Sequence, residues 1–142
     1  MDSIVITGAS TGIGRATTKA LLDRGFRVFG SVRKQADADR LARELGANFS
    51  PLVFDITDQA GARAAAAEVS SALGDRTLAG LVNNAGVAVS GPLLELPIEE
   101  MRRQMEVNLL GPLNVTKAFA PLLGTDRTRT GKPGRIVMIS ST

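Results

Sequence analysis

Histidine, cysteine and tyrosine are all absent from this sequence of 142 residues. Without cysteine there is no disulfide and no thiolate metal site, and without histidine the commonest metal ligand is gone. No metal centre is expected. Long apolar runs are missing too. None approaches the roughly 18 residues that a membrane span requires, and the opening "MDSIVITGAS" has no basic n-region before an apolar h-region. The sequence reads as cytoplasmic, with no membrane partner. Charge is nearly balanced, at a formal +3. Its one local concentration, "DRTRTGKPGR" at 126–135, carries Arg127, Arg129, Lys132 and Arg135. That stretch lacks aromatics and is broken by glycine and proline, so it reads as a solvated loop, and nucleic acid is not an expected partner.

What is present is a hydrophobic fraction of 44% and a charged fraction of 22%, the proportions of a globular protein with one core. A single domain over 1–142 is the expectation. β-branched runs alternate with helical periods. "SIVIT" (3–7), "RVFGSV" (27–32), "PLVFD" (51–55), "LAGLVN" (78–83) and "RIVMIS" (135–140) read as strands. Residues 13–24, 36–45, 59–73 and 97 to about 123 read as helices. Strands that are apolar on successive residues suit a sheet covered on both faces. Repeated strand–helix alternation predicts an α/β fold with a doubly wound parallel sheet. Gly25, Gly46 and Gly74 follow the first three helices, where a left-handed residue is favoured. Asp58 is a candidate cap for the third helix. Pro97 suits the first turn of the fourth, with Glu99 and Glu100 at its positive end. Pro112 lies inside that last helical stretch and predicts a kink or break near 108–112.

"TGASTGIG", residues 7–14, stands between the first strand and the first helix. Gly8 lets the chain turn off the strand, Gly12 lets a ligand approach the backbone, and Gly14 permits close packing of the helix. The free N–H groups at the helix start, with the hydroxyls of Ser10 and Thr11, then suit a pyrophosphate. Glycine also serves ordinary tight turns, and the spacing G-x-x-x-G-x-G differs from the more familiar G-x-G-x-x-G. A P-loop is disfavoured, because the turn lacks the GK[ST] it needs.

The turn has company. "TGASTGIG", "DITD" at 55–58, "NNAG" at 83–86, the lone Asn of "VNLLG" at 107–111 and "GRIVMISS" at 134–141 follow one another in the order and spacing of the short-chain dehydrogenase/reductase family. The chain resembles that family over essentially its whole length. The resemblance implies a Rossmann-type sheet with strand order 3-2-1-4-5, binding of NAD or NADP, and hydride transfer between a carbonyl and an alcohol. It implies cofactor contacts from Gly8, Ser10, Thr11, Gly12, Ile13 and Gly14. Asp55 and Ile56 would lie against the adenine, although Asp55 also reads as a plain strand-end carboxylate. Asn83, Ala85 and Gly86 would border the adenosine, with Asn83 and Asn84 partly structural.

The end of the second strand reports the cofactor type. A carboxylate there would bind the ribose 2′-hydroxyl of NAD and repel a 2′-phosphate. Here the sequence is "GSVRKQ", with Val32 where the acid would stand, then Arg33 and Lys34. A guanidinium at that place pairs with a 2′-phosphate, so NADP(H) is preferred over NAD(H). If Arg33 and Lys34 only solvate a loop, discrimination would be weak.

Two catalytic positions also follow from the resemblance. Ser141 matches the serine that donates a hydrogen bond to the substrate oxygen, with Ser140 lining the pocket through its backbone. Asn108 matches a residue at a helix kink whose backbone holds a water of the proton relay; a helix-interior Asn at a break is the plainer reading. The family's acid/base is a Tyr in a Tyr-x-x-x-Lys helix, and this sequence has no Tyr. The expectation is therefore the front portion of a dehydrogenase, truncated before the family's last two strands and inactive alone. A non-catalytic dinucleotide-binding module acting through a partner is the alternative. "RIVMIS" would then be an apolar edge strand, and "VAVSGPLLEL" at 87–96 part of a substrate wall. Partners would be a small carbonyl or alcohol and, at full length, further copies of the chain as a dimer or tetramer.

Overall fold

The computed structural model describes residues 1–141. Its chain runs β1 (Ser3–Ile6), α1 (Gly12–Asp23), β2 (Arg27–Val32), α2 (Gln35–Leu45), β3 (Phe49–Val53), α3 (Gln59–Leu73), β4 (Gly80–Asn83), α4 (Ile98–Met105), a π-helical turn (Glu106–Leu110), α5 (Gly111–Phe119), a 3₁₀ turn (Ala120–Leu123) and β5 (Arg135–Met138). The five strands are parallel and lie in the order β3-β2-β1-β4-β5. This is the Rossmann-type arrangement the sequence predicts.

Strand alternation explains the two-layered core. Ile4 and Ile6 of β1 pack to one side with Val28, Val32, Ala38 and Leu41. Val5, between them, packs to the other side with Phe29, Leu81, Val69, Val115 and Phe119. Period-2 side chains on a sheet covered on both faces need apolar residues at every position, which is why β1 and β4 are buried throughout. Outer β5 differs. Ile136, Val137 and Met138 are each about half exposed, at 45%, 47% and 55%.

Strand limits differ from the sequence reading in four places. β1 ends at Ile6, short of Thr7. β3 begins at Phe49, ahead of Pro51, and ends at Val53. It pairs only with β2, and an edge strand tolerates the missing N–H of a proline. β4 begins at Gly80 because the Leu78 N–H turns to the Leu122 carbonyl (2.8 Å). β5 stops at Met138, short of Ser140.

Gly25, Gly46 and Gly74 do follow α1, α2 and α3, with φ of +86°, +84° and +64°. Asp58 stands at the start of α3, but its carboxylate makes no capping bond; its carbonyl accepts from Ala62 N–H (3.0 Å). Pro97 precedes the first turn of α4, and Glu99 and Glu100 lie within it. The expected kink resolves into the π turn. Pro112 has no N–H to return to the Asn108 carbonyl four residues back, and one wide turn absorbs that loss before α5 resumes.

The basic loop is not simply solvated. Arg129 donates to the carbonyls of Gly74 (3.0 Å) and Arg76 (2.9 Å) and to the Ser70 hydroxyl. Its side chain is only 11% exposed. One guanidinium thus satisfies the carbonyls that follow α3 and pins the loop to the entrance of β4.

Candidate functional site

A cleft of about 740 Å³ opens at the C-terminal ends of the strands. There β1 is flanked by β2 on one side and β4 on the other, so the connections leave in opposite directions. Ligands of open parallel sheets settle at this switch point.

The first wall of the cleft is the glycine-rich turn. Gly8, Ser10, Thr11, Gly12 and Ile13 line it. Thr11 precedes α1 in an extended conformation (φ −146°, ψ 169°) and its side chain makes no cap. The first N–H to return to a carbonyl is that of Arg15, to Thr11 (3.1 Å). Helix geometry leaves the N–H groups before it without helical partners, and these suit an anion. Gly12 has φ +57° with open space where a side chain would stand. Gly14 is buried beneath the turn. A Cβ there would sit 1.9 Å from the Gly8 carbonyl oxygen and 2.5 Å from Asn84 Nδ2, so the close approach is between α1 and the turn itself.

Thr7, Asn84 and Ser31 hold the turn. Thr7, 1% exposed, accepts at its hydroxyl from the N–H groups of Asn84 and Ala85, both at 3.0 Å. Asn84 returns two bonds, donating from Nδ2 to the carbonyls of Thr7 and Gly8, both at 3.2 Å. Ser31 Oγ accepts from Gly8 N–H (3.1 Å). The loop after β4 is thereby laced to the loop after β1.

The second wall comes from β2 and β3. Val32, Arg33, Asp55 and Ile56 line it. Asp55 is held as a carboxylate. The Thr57 N–H (2.9 Å) is the largest cause of a lowered pKa, burial opposes it, and the Thr57 hydroxyl (2.8 Å) and the Arg33 charge lower it further. Any contribution of Asp55 to folding stability is therefore present above its unfolded value near 3.8 and lost as pH falls through the lower folded value. NMR titration of the side-chain carboxyl should give a midpoint below 3.8. Thr57→Val should move it upward by removing the hydroxyl bond; an unmoved midpoint would contradict this assignment.

The third wall joins β4 to α4. Ala85, Gly86 and Val87 line the cleft, faced by Glu99 and Arg103 of α4 and Val107 of the π turn. Their spacing of four residues puts them on one face. Glu106 and Arg102 also reach the cleft. The helical period could have pointed to these residues of α4 and the π turn, and polar Thr7 and Ser31 at apolar strand ends to the lacing. The sequence reading used neither signal.

Asn83 does not line the cleft. It is buried, and its Nδ2 donates to Thr116 Oγ1 (3.1 Å) and approaches Met138 Sδ (3.3 Å). Its Oδ1 is buried without a partner among the described residues. Asn108, in the π turn, grips one residue with both ends of its amide. Oδ1 accepts from Val87 N–H (2.9 Å), and Nδ2 donates to the Val87 carbonyl (2.7 Å). Its side chain thus fixes the loop beside Gly86. Ser141 lies beyond β5 at the same edge of the sheet, exposed and outside the cleft lining. Of the 87–96 stretch only Val87 lines the cleft; Leu93 and Leu94 are 84% and 98% exposed. No group of His, Cys, Asp or Glu that could hold a metal ion occurs among the described residues. No helix there is long and apolar enough to cross a membrane.

The family model described as short chain dehydrogenase matches residues 2–142. The chain belongs to the short-chain dehydrogenase family. An NADPH-dependent 3-dehydrocapnine reductase of Ornithobacterium rhinotracheale is 42% identical over 142 residues, covering 100% of this chain and 50% of that protein. Human retinol dehydrogenase 5 is 37% identical over 139 residues, covering 97% of this chain and 42% of the relative. Among solved structures, a short-chain dehydrogenase from Streptomyces avermitilis superposes with a TM-score of 0.84 at 32% identity, covering 99% of this chain and 49% of the other. Serine dehydrogenase from Escherichia coli gives 0.86 at 27% identity, with 99% and 62% covered. The chain spans about half the length of the curated relatives it matches.

Proposed function

We propose that this short-chain dehydrogenase chain supplies the dinucleotide-binding portion of an NADP(H)-dependent oxidoreductase acting on a small carbonyl or alcohol. One arrangement carries the reading: the residues that open α1, whose N–H groups have no helical acceptor, and Arg33 line the same cleft. A ligand with a pyrophosphate and a second, terminal phosphate meets both. The 42% identical relative, named as NADPH-dependent, supports the same choice.

In this reading Gly8, Ser10, Thr11, Gly12 and Ile13 hold the pyrophosphate, with Gly14 allowing α1 to seat beneath it. Arg33 takes the 2′-phosphate. Asp55 and Ile56 meet the adenine, and Ala85 and Gly86 border the adenosine above Asn83. When bound, the nicotinamide supplies or accepts the hydride. Ser141 would donate a hydrogen bond to the substrate oxygen. Asn108 would offer its backbone carbonyl, which Pro112 leaves without an α-helical donor, to a water. With no tyrosine, histidine or cysteine in the chain, these 142 residues alone are proposed to carry out no carbonyl reduction. Apolar side chains exposed on α4 and beyond it, such as Ile98, Met105 and Leu109, support a homo-oligomer.

Arg33→Glu tests the cofactor assignment. Losing a charge-assisted pair and gaining a repulsion should weaken NADPH binding about 100-fold, with NADH changed by less than about threefold, as read by calorimetric titration. An unchanged NADPH affinity would remove Arg33 from the site.

A further inference from the structure

The segment of the glycine-rich turn that leads into α1, from Ser10 to Arg15, is tethered at both ends to α2, a helix that contributes no residue to the cleft lining. At one end, Arg40 of α2 places Nη2 3.4 Å from the Ser10 carbonyl oxygen. At the other, Arg15, in the first turn of α1, places Nη2 2.7 Å from Glu44 Oε2. The two tethers share a residue, because Arg40 Nη1 lies 3.7 Å from the same Glu44 oxygen. Asp37, one turn earlier on α2, holds Arg40 Nη2 at 3.2 Å.

From this geometry we infer that Arg40 is a positioning residue for dinucleotide binding, aiming the N–H groups of residues 11–14 through the Ser10 carbonyl. The inference rests on the dinucleotide reading of the cleft. Its physics is that of a trans peptide, in which the C=O and the following N–H point in opposite directions. Drawing the Ser10 carbonyl towards α2 turns the Thr11 N–H away from α2, and Thr11 lines the cleft. Arg15 fixes the far side of the same short segment. A cradle held at both ends loses less freedom when an anion arrives, which raises affinity without adding a contact.

Charge counting separates this role from simple attraction. The network contains two cations, Arg15 and Arg40, and two anions, Asp37 and Glu44, so its net field at the cleft is small. All four side chains are roughly one-third to two-fifths exposed, and ion pairs of that kind add little to global stability. Arg40 should therefore alter how well the turn is ordered rather than which cofactor it accepts.

The experiment measures NADPH and NADH dissociation constants on the full chain for the parent, Arg40→Gln, Arg40→Lys, Arg40→Gln with Glu44→Gln, and Arg33→Gln. Thermal melts on each confirm folding. Arg40→Gln is expected to weaken both cofactors by the same factor, about five- to tenfold. Arg40→Lys should recover at least half of the loss, since an ammonium can still reach a carbonyl. The double variant, which restores neutrality, should show at least the loss of Arg40→Gln, again equally for both cofactors. Selective loss of NADPH in Arg40→Gln would mean that Arg40 meets the 2′-phosphate itself, and unchanged affinities would mean that the tether positions nothing. Either result overturns the inference. Arg33→Gln reports separately: if it leaves the NADPH-to-NADH ratio unchanged, the cofactor assignment fails, while an equal loss in Arg40→Gln still stands as a statement about the turn.

Discussion

Gly14→Ala is expected to reduce dinucleotide binding at least about 100-fold and to cost about 1–3 kcal/mol of stability, the range for forcing extra atoms into a packed site. The added methyl would lie 1.9 Å from the Gly8 carbonyl oxygen, 2.8 Å from its carbonyl carbon and 2.5 Å from Asn84 Nδ2. Two of these are backbone atoms and cannot swing aside. Relief requires either that α1 back away from the turn or that the Gly8 peptide rotate. Backing α1 away carries the free N–H groups out of the cleft. Rotating the peptide breaks the Asn84 bond to the Gly8 carbonyl and loosens the lacing to Thr7. Either response spoils the cradle, so the binding loss should exceed what the stability loss alone would cause. Urea denaturation and NADPH titration on the same preparation check both numbers. Gly12→Ala is the comparison: open space surrounds it, and its strain is limited to a left-handed φ, about 1–2 kcal/mol. Binding by Gly14→Ala within threefold of the parent would contradict the packing described.

Phe119→Ala should cost about 3–5 kcal/mol, the usual range for removing a buried aromatic. Phe119 closes α5, is 0% exposed, and packs in the same core as Val5, Leu81, Val115 and Leu122. It supports the sheet beneath the β4 end that carries Asn84, Ala85 and Gly86. Against a total stability of about 5–15 kcal/mol, that loss is large enough to populate unfolded chains at physiological temperature. Leu113 lies on the same helix but is 52% exposed, and Leu113→Ala should stay within about 0.5 kcal/mol. A thermal melt of the two variants separates core from surface on α5; similar melting temperatures would mean that the burial is misassigned.

Much of this arrangement was legible in the residues. The alternation of β-branched runs and helical periods gave five strands and a parallel sheet. The family resemblance implied the strand order, and the glycine turn marked the first wall of the cleft. Arg33 and Asp55, read at strand ends, do reach the cleft. Other features depended on contacts between distant parts of the chain. Nothing near Ser10 announces Arg40, thirty residues on, and nothing near Arg129 announces the Gly74 and Arg76 carbonyls it holds. Asn83 and Asn84 are adjacent and identical, yet one turns to Thr116 and the other to the glycine turn. That split depends on which way each side chain leaves β4, which sequence alone expresses only as alternation. Pro112 marked a break in the helix correctly, but that the chain widens into a π turn rather than stopping was not legible; Gly111, at the junction, packs against Ile56, where a Cβ would sit 2.7 Å from Ile56 Cδ1.

This cleft is proposed to take a dinucleotide by its pyrophosphate at the start of α1 and to select it by Arg33. Parallel calorimetric titrations of the unaltered protein with NADPH and NADH test it most directly. Saturable binding of both at one site is expected, with NADPH tighter by about tenfold or more, equivalent to about 1.4 kcal/mol. Equal or tighter binding of NADH would contradict the role of Arg33, and binding of neither would contradict the dinucleotide reading of the cleft itself.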